Sequence, residues 1–156
     1  MNGDMPGQDT PTITIFTIGF AGKSAREFFE KLQRAGVKRL VDVRLNNVSQ
    51  LAGFTKKQDL EYFLQTIAGI GYAHEQELAP TQEVLDDYKK KRIDWEEYER
   101  RFLDILQGRA PAERLKREGF DKTCLLCSEA QPDKCHRRLT AEYLQRCWNS
   151  VEIKHL

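Results

Sequence analysis

Chemistry-bearing side chains concentrate in Cys124-Leu125-Leu126-Cys127-Ser128-Glu129, followed by Pro132 and by Cys135-His136-Arg137. Three kinds of chemistry fit this set. Cys124, Cys127, Cys135 and His136 are four soft donors of the type that holds zinc. Against zinc, Cys124 to Cys127 reads as a buried strand, which turns these two thiols to opposite faces, and adjacent Cys135 and His136 rarely ligate one ion. No metal is assigned on this basis. The second chemistry is that of an activated thiol. Cys135 falls in the first turn of an expected helix, where the dipole and free N–H groups stabilise a thiolate, and His136 and Arg137 lower a thiol pKa further. Cys127 ends a strand and could lie nearby, giving a nucleophile or a redox pair. The third reading is structural, with cysteine as a small buried residue and His136 as a helix cap. That reading suits Cys124 and Cys147; for Cys135 both remain open.

Other residues could join the site. Glu129, just past the strand, could act as a general base or hold the Arg137 guanidinium, or simply be a solvated loop acid. Asp42 stands inside the apolar run Leu40-Val41-Asp42-Val43, where an unpaired acid is costly to bury. It either pairs with Arg44 or Arg137, or serves as a positioned acid beside an anion-binding Arg44. Gly22-Lys23-Ser24 is not a Walker loop, because the glycine required upstream is Thr17, still within a strand. Gly19 and Ser24, at the start of the first helix, could nevertheless receive one phosphate or other anion. Ser24 with Glu27 is also an ordinary capping box. Lys89-Lys90-Lys91-Arg92 reads as a solvated helix end. Trp95, Tyr98 and Phe102 read as core. Phe54-Thr55-Lys56-Lys57 could stack on and hold a single strand.

Regular elements must position these groups. Thr12 to Ile18 is β-branched and predicts a strand. A helix follows from Ser24 to Gly36, with Ala25, Phe28, Phe29 and Leu32 at helical spacing. Arg39 to Val43 is a second strand, completing a βαβ unit. Arg44 to Lys57 reads as a long loop. A second helix carries Leu60, Phe63, Leu64 and Ile67 and ends near Gly69. Tyr72 to His74 is a third strand. Helices are expected over Thr81 to Lys91, Asp94 to Gln107 (capped by Asp94) and Pro111 to Glu118. Lys122 to Cys127 is a strand, Asp133 caps a helix running to about Trp148, and Val151 to Leu156 is a final strand. The order implies a three-layer, Rossmann-like α/β fold with a mainly parallel sheet of about five strands. Such sheets bind ligands beyond the carboxyl ends of their strands, where Gly19, Ser24, Asp42, Arg44 and residues 127–137 all fall.

Composition narrows the class. Hydrophobic residues make up 40% and charged residues 31%, as in a globular domain. Residues 12–156 are expected to form one domain after a disordered tail, Met1 to Pro11. A net charge of +1 gives no global attraction to nucleic acid or anionic lipid, so any such binding needs a local patch. No apolar run reaches bilayer length, so no membrane partner is expected. The four cysteines, all at or beyond Cys124, suit reduced thiols in a cytoplasmic protein better than a disulfide framework. No cofactor is indicated.

Several motifs together resemble the domain-of-unknown-function 488 family. They are Thr17-Ile18-Gly19 with Ser24, Leu40-Val41-Asp42-Val43-Arg44, Phe54, Gly71-Tyr72-x-His74 and Leu126-Cys127-x-Glu129-x2-Pro132-x2-Cys135-His136-Arg137. The resemblance implies an α/β fold, and one site containing Asp42, Arg44, Cys127, Glu129, Cys135, His136 and Arg137. The chain departs from the family pattern after Arg44. There Leu45-Asn46-Asn47 and Ser49-Gln50 stand in place of a Pro and a Ser-Arg pair. The resemblance supplies no reaction. The residues point to an enzyme-like domain binding or acting on nucleic acid or a nucleotide-like anionic ligand. In it Arg44, His136, Arg137, Gly19 and Ser24 would bind, and Asp42, Glu129, Cys135 and Cys127 would carry chemistry. A non-catalytic nucleic-acid-binding module and a thiol-redox or zinc-binding protein are the alternatives.

Overall fold

Seven residues from Ile13 to Gly19 form the first strand, β1, and nearly all are buried. A near-continuous apolar strand needs cover on both faces, which is the condition of a parallel sheet between helix layers. The computed structural model, which describes residues 10–47, 53–129 and 131–156, has that architecture. Strands β1, β2 (Arg39–Asp42), β3 (Gly71–His74), β4 (Thr123–Cys127) and β5 (Val151–His155) form one sheet in the order β3-β2-β4-β1-β5. All its pairings are parallel. Composition tracks position. Central β4 is buried throughout, whereas edge strands β3 and β5 carry exposed or half-exposed polar residues.

The helices are α1 (Ala25–Ala35), α2 (Lys57–Phe63), α3 (Gln82–Lys89), α4 (Trp95–Arg109), α5 (Pro111–Arg114) and α6 (His136–Cys147). On one face Phe28 and Leu32 of α1, Leu60 of α2 and the following Leu64 pack against Phe16, Ile18, Leu40, Cys124 and Leu126. On the other, Phe102 and Leu106 of α4 and Leu139 and Leu144 of α6 pack against Ile15, Val41, Val43 and Leu125. The alternation of strand side chains therefore sends Cys124 into one layer and Cys127 toward the other.

Local signals work as their chemistry predicts. Ser24 accepts from Glu27 N at 3.2 Å and Asp94 from Glu97 N at 2.8 Å, each cap worth about 1 kcal/mol. Gly36 closes α1 in the left-handed region, φ 75°.

Three expectations need correction. Asp133 does not cap the last helix. Cys135 N–H donates to Pro132 O at 3.2 Å, closing a turn through Asp133 before the helix begins. The N-cap is Cys135, in extended geometry and with no side-chain capping bond, so it lies just before the first turn rather than in it. Phe54 is not poised for a nucleic-acid strand. Its ring packs against Phe28 and Phe29, with centroids 5.4 and 6.0 Å away. Tyr98 and Phe102 are core as expected, and Trp95, packed against the same core, is half-buried at a cleft described below. Of the expected tail, residues 1–9 lie outside the described residues. Pro11 is tied down by Arg117, whose Nη2 donates to its carbonyl at 2.7 Å. Ser49 and Gln50 also lie outside the described residues.

Candidate functional site

Strand order decides which loops meet. Because β4 sits between β1 and β2, the segment after β4 leaves the sheet beside the ends of both neighbours. Ala21 N–H donates to Ser128 O at 2.9 Å and Val43 N–H to Leu126 O at 3.1 Å, stitching the three loops together. The approach at Gly19 is so close that a Cβ there would fall on the carbonyl oxygen of Glu129. Glycine is required at this position by space, not by backbone angle.

Over these strand ends lies a cleft of about 620 Å³. Arg44, Cys127, Glu129, Cys135 and His136 line it, with Lys23, Lys89 and Lys134 among the walls. Its aromatic side is Trp95 stacked on Tyr98, 5.0 Å between centroids at 23°, with Tyr88 5.0 Å from Tyr98. Lys23, Lys89 and Lys134 stand there with one exposed carboxylate, Glu129, while the Arg44 charge is balanced by buried Asp42, so the lining carries local positive charge although the whole chain is nearly neutral.

Cys127 and His136 meet at the inner end of the cleft. Cys127 Sγ lies 3.5 Å from His136 Nδ1, and His136 Nε2 lies 2.7 Å from Val43 O. A carbonyl only accepts, so Nε2 carries a hydrogen and Nδ1 is left to face the sulfur. Phe102 stands edge-on to the imidazole at 5.8 Å. Burial by itself would raise the Cys127 pKa. The Cys135 hydrogen bond, the His136 charge and hydrogen bond and the Glu129 N–H outweigh it and hold the thiol well below its ordinary value. Burial likewise opposes charge on His136, yet the Cys127 thiolate draws its pKa upward. Cys135 is pushed the other way by its hydrogen bond to Cys127, by burial and by the Cys127 charge, so it stays a thiol. Cys127 and His136 are thus each drawn toward the charged form, and Cys135 toward the neutral one. Tyr98 beside them is also held neutral, by burial and by the thiolate charge.

The sulfur atoms of Cys127 and Cys135 and a nitrogen of His136 all lie within 4.8 Å of one another, a spacing that could also hold a soft metal ion. Cys124 cannot join them, being buried in the opposite layer.

The two arginines are held differently. Asp42 is fully buried and takes a two-pronged bond from Arg44, Nε to Oδ1 at 2.9 Å and Nη2 to Oδ2 at 2.8 Å. Tyr72 donates to Oδ2 at 2.7 Å, and Arg44 Nη2 reaches Thr55 O at 2.6 Å. Asp42 thus orients Arg44 at the cleft edge. Arg137, fully buried, runs beneath the floor. It donates to the Glu129 carbonyl, to Thr17 Oγ1 at 3.3 Å and to Cys135 Sγ at 3.6 Å. Thr17 in turn meets His155 Nδ1 at 2.6 Å. The Glu129 group that meets Arg137 is its backbone carbonyl, not the carboxylate. Gly19 and Ser24 sit behind the cleft wall, and the segment from Phe20 to Lys23 between them forms that wall. Lys23 Nζ donates to Gly19 O at 2.7 Å.

Sequence reasoning missed Lys23, Lys134, Tyr88 and the cleft-facing edges of Trp95 and Tyr98. A helical apolar stripe does not reveal which of its members borders solvent.

Fold and site together define a three-layer parallel α/β domain with a cysteine–histidine cleft at the carboxyl ends of its strands. The chain belongs to the family described as Domain of unknown function DUF488, whose model matches residues 24–144. That span holds every cleft residue from Lys89 to His136 and omits β1 with Gly19. No curated protein and no solved structure matches the chain. Among the described residues no helix is long and apolar enough to cross a membrane.

Proposed function

We propose that this protein is a thiol-dependent enzyme acting on a nucleotide-like anionic ligand. The observation that carries the reading is the Cys127–His136–Val43 alignment, 3.5 and 2.7 Å, at the inner end of a cleft lined by rings and cations. A nucleophilic thiolate, a proton donor beside it and a third group orienting that donor is the arrangement covalent catalysis needs. A flat base suits the wall of Trp95, Tyr98 and Tyr88, and a phosphate suits Lys23, Lys89, Lys134 and Arg44. A volume of about 620 Å³ fits one nucleotide or one unstacked residue of a single strand rather than a duplex.

The chemistry runs in two steps. Cys127 sulfur bonds to an electrophilic carbon of the ligand as the bond to the leaving group breaks, and His136 Nδ1 gives the departing atom its proton. Water, deprotonated by the now neutral imidazole, then displaces the sulfur and restores both groups. Asp42 acts through Arg44 as a positioning residue. Glu129 contributes its N–H to the sulfur, and Arg137 holds the loop that presents Cys135.

The test is titration with adenosine nucleotides and with labelled single- and double-stranded DNA and RNA, at low and moderate salt, followed by product analysis. Salt-sensitive binding weakened in Lys134→Ala, with product formation abolished in Cys127→Ala, supports the reading. Binding without product from any of these ligands would leave a binding module, and no binding at low salt would overturn the ligand class.

A further inference from the structure

We propose that Cys127 and Cys135 form a peroxide-oxidisable pair, in which a hydroperoxide oxidises Cys127 and Cys135 resolves it as a disulfide that shuts the site. The inference rests on the thiolate reading of the Cys127–His136 pair, and adds a modification that catalysis does not require.

Geometry carries it. The two sulfur atoms lie within 4.8 Å of each other, close enough for side-chain rotation to bring them to bonding distance. Cys135 is the more adjustable of the two, although it is nearly buried and its sulfur accepts from Arg137 Nη1 at 3.6 Å. It is the N-cap of α6, with extended backbone at φ −138° and ψ 138°, and its side chain caps nothing. The turn through Pro132 to Lys134 precedes it. Cys127, by contrast, is anchored at the end of β4. Cys127 is the fixed sulfur, and a rotation at Cys135 that gives up the Arg137 contact would bring the second sulfur to it. Both are nearly buried, each 2% exposed, but they line the cleft, which is the side from which a small peroxide would meet them. Cys124 is buried in the opposite layer, and Cys147 lies at the far end of α6, so neither competes as resolving thiol.

The steps balance with a hydroperoxide as the only oxidant. Cys127 thiolate attacks the distal peroxide oxygen, the O–O bond breaks, and the leaving alkoxide or hydroxide takes a proton from His136, yielding sulfenic acid and an alcohol or water. Cys135 sulfur then attacks the sulfenic sulfur; its proton and the departing hydroxide leave as water, and the S–S bond forms. Arg137, 3.6 Å from Cys135 Sγ, favours loss of that proton. In the product Cys127 has no nucleophilic charge, and a thiol reductant restores it.

The test treats reduced protein with stoichiometric hydrogen peroxide, blocks remaining thiols under denaturing conditions and maps disulfides by peptide mass. A parallel sample measures iodoacetamide alkylation of Cys127 at neutral pH. The expected result is a Cys127–Cys135 disulfide reversed by dithiothreitol. In Cys135→Ser the expected result is Cys127 sulfenic acid, trapped by dimedone and passing on to sulfinic acid. Fast alkylation without that disulfide overturns this inference and leaves the thiolate reading standing. Slow alkylation with no oxidation overturns both. A disulfide through Cys124 or Cys147 also overturns it.

Discussion

Cys127 and His136 lie nine residues apart in the chain, and their side chains meet at 3.5 Å because β4 ends where α6 begins. The contact draws the thiol and the imidazole each toward its charged form, with Val43 O fixing the far nitrogen. Alkylation measures the thiolate directly. Protonation below the Cys127 pKa removes the nucleophile, and that pKa is depressed, so the midpoint of the rate's fall with decreasing pH should lie below the ordinary thiol range. His136→Asn removes the His136 charge and hydrogen bond that help oppose burial, so the thiol pKa rises. Iodoacetamide reactivity of Cys127 at neutral pH should then drop at least about tenfold, the effect of one pKa unit or more.

Asp42 and Arg44 form a buried two-pronged ion pair. Asp42→Asn keeps the shape and removes the charge, leaving a buried guanidinium uncompensated. A loss of about 3 kcal/mol is expected, read as a fall of roughly 6–12 °C in Tm by calorimetry. Asp42→Asn with Arg44→Met should recover part of that loss, because the orphaned charge is gone.

Gly19 gives up its side-chain space to the Glu129 carbonyl. In Gly19→Ala the obstructing atom is backbone, and it is also held by Arg137. The loop after β4 must move. A loss of about 2 kcal/mol or more is expected. The Cys127 alkylation rate should change with it, because the Glu129 N–H belongs to the displaced loop. Gly22→Ala is not an equivalent control, since Gly22 has φ 74° and carries a conformational penalty of its own.

Arg137 and Lys134 separate folding from binding. Arg137 is buried under the site, so Arg137→Ala should lower Tm strongly, by the equivalent of about 2–4 kcal/mol, and bind ligand weakly because the loop is lost. Lys134 is exposed at the cleft. Lys134→Ala should leave Tm within about 1 °C and weaken nucleotide binding severalfold, with a shallower salt dependence.

Trp95 stacks on Tyr98 at the cleft wall. Trp95→Ala should reduce affinity for adenosine nucleotides by about 10-fold, in line with one lost stacking face, and affect inorganic phosphate much less. Isothermal titration of both ligands against both proteins measures the difference.

Much of this was legible in the chain. Apolar runs such as Leu40 to Val43, interrupted only by Asp42, and Cys124 to Cys127 specify doubly covered parallel strands, and period-two alternation puts Cys124 and Cys127 on opposite faces without reference to any contact. Ser24 and Asp94 announce their helices because capping is a local interaction. Placement of the site at strand ends follows from the same reasoning. Sequence analysis located the helix containing His136 but set its cap at Asp133, because a turn closed on Pro132 O competes with capping and only the folded loop decides between them.

What the sequence by itself determined was local and periodic: the elements, their order, the Ser24 and Asp94 caps and the stretch rich in thiols, His136 and Arg137. Tertiary structure alone decided which thiol is drawn toward the charged form. That depends on His136 reaching Val43, 93 residues away, which happens only because β2 lies beside β4. It also turned Arg137 inward under the loop and Trp95 outward to the cleft. A pKa is set by the burial and charges around a group, and these come from segments distant in sequence that no local pattern encodes.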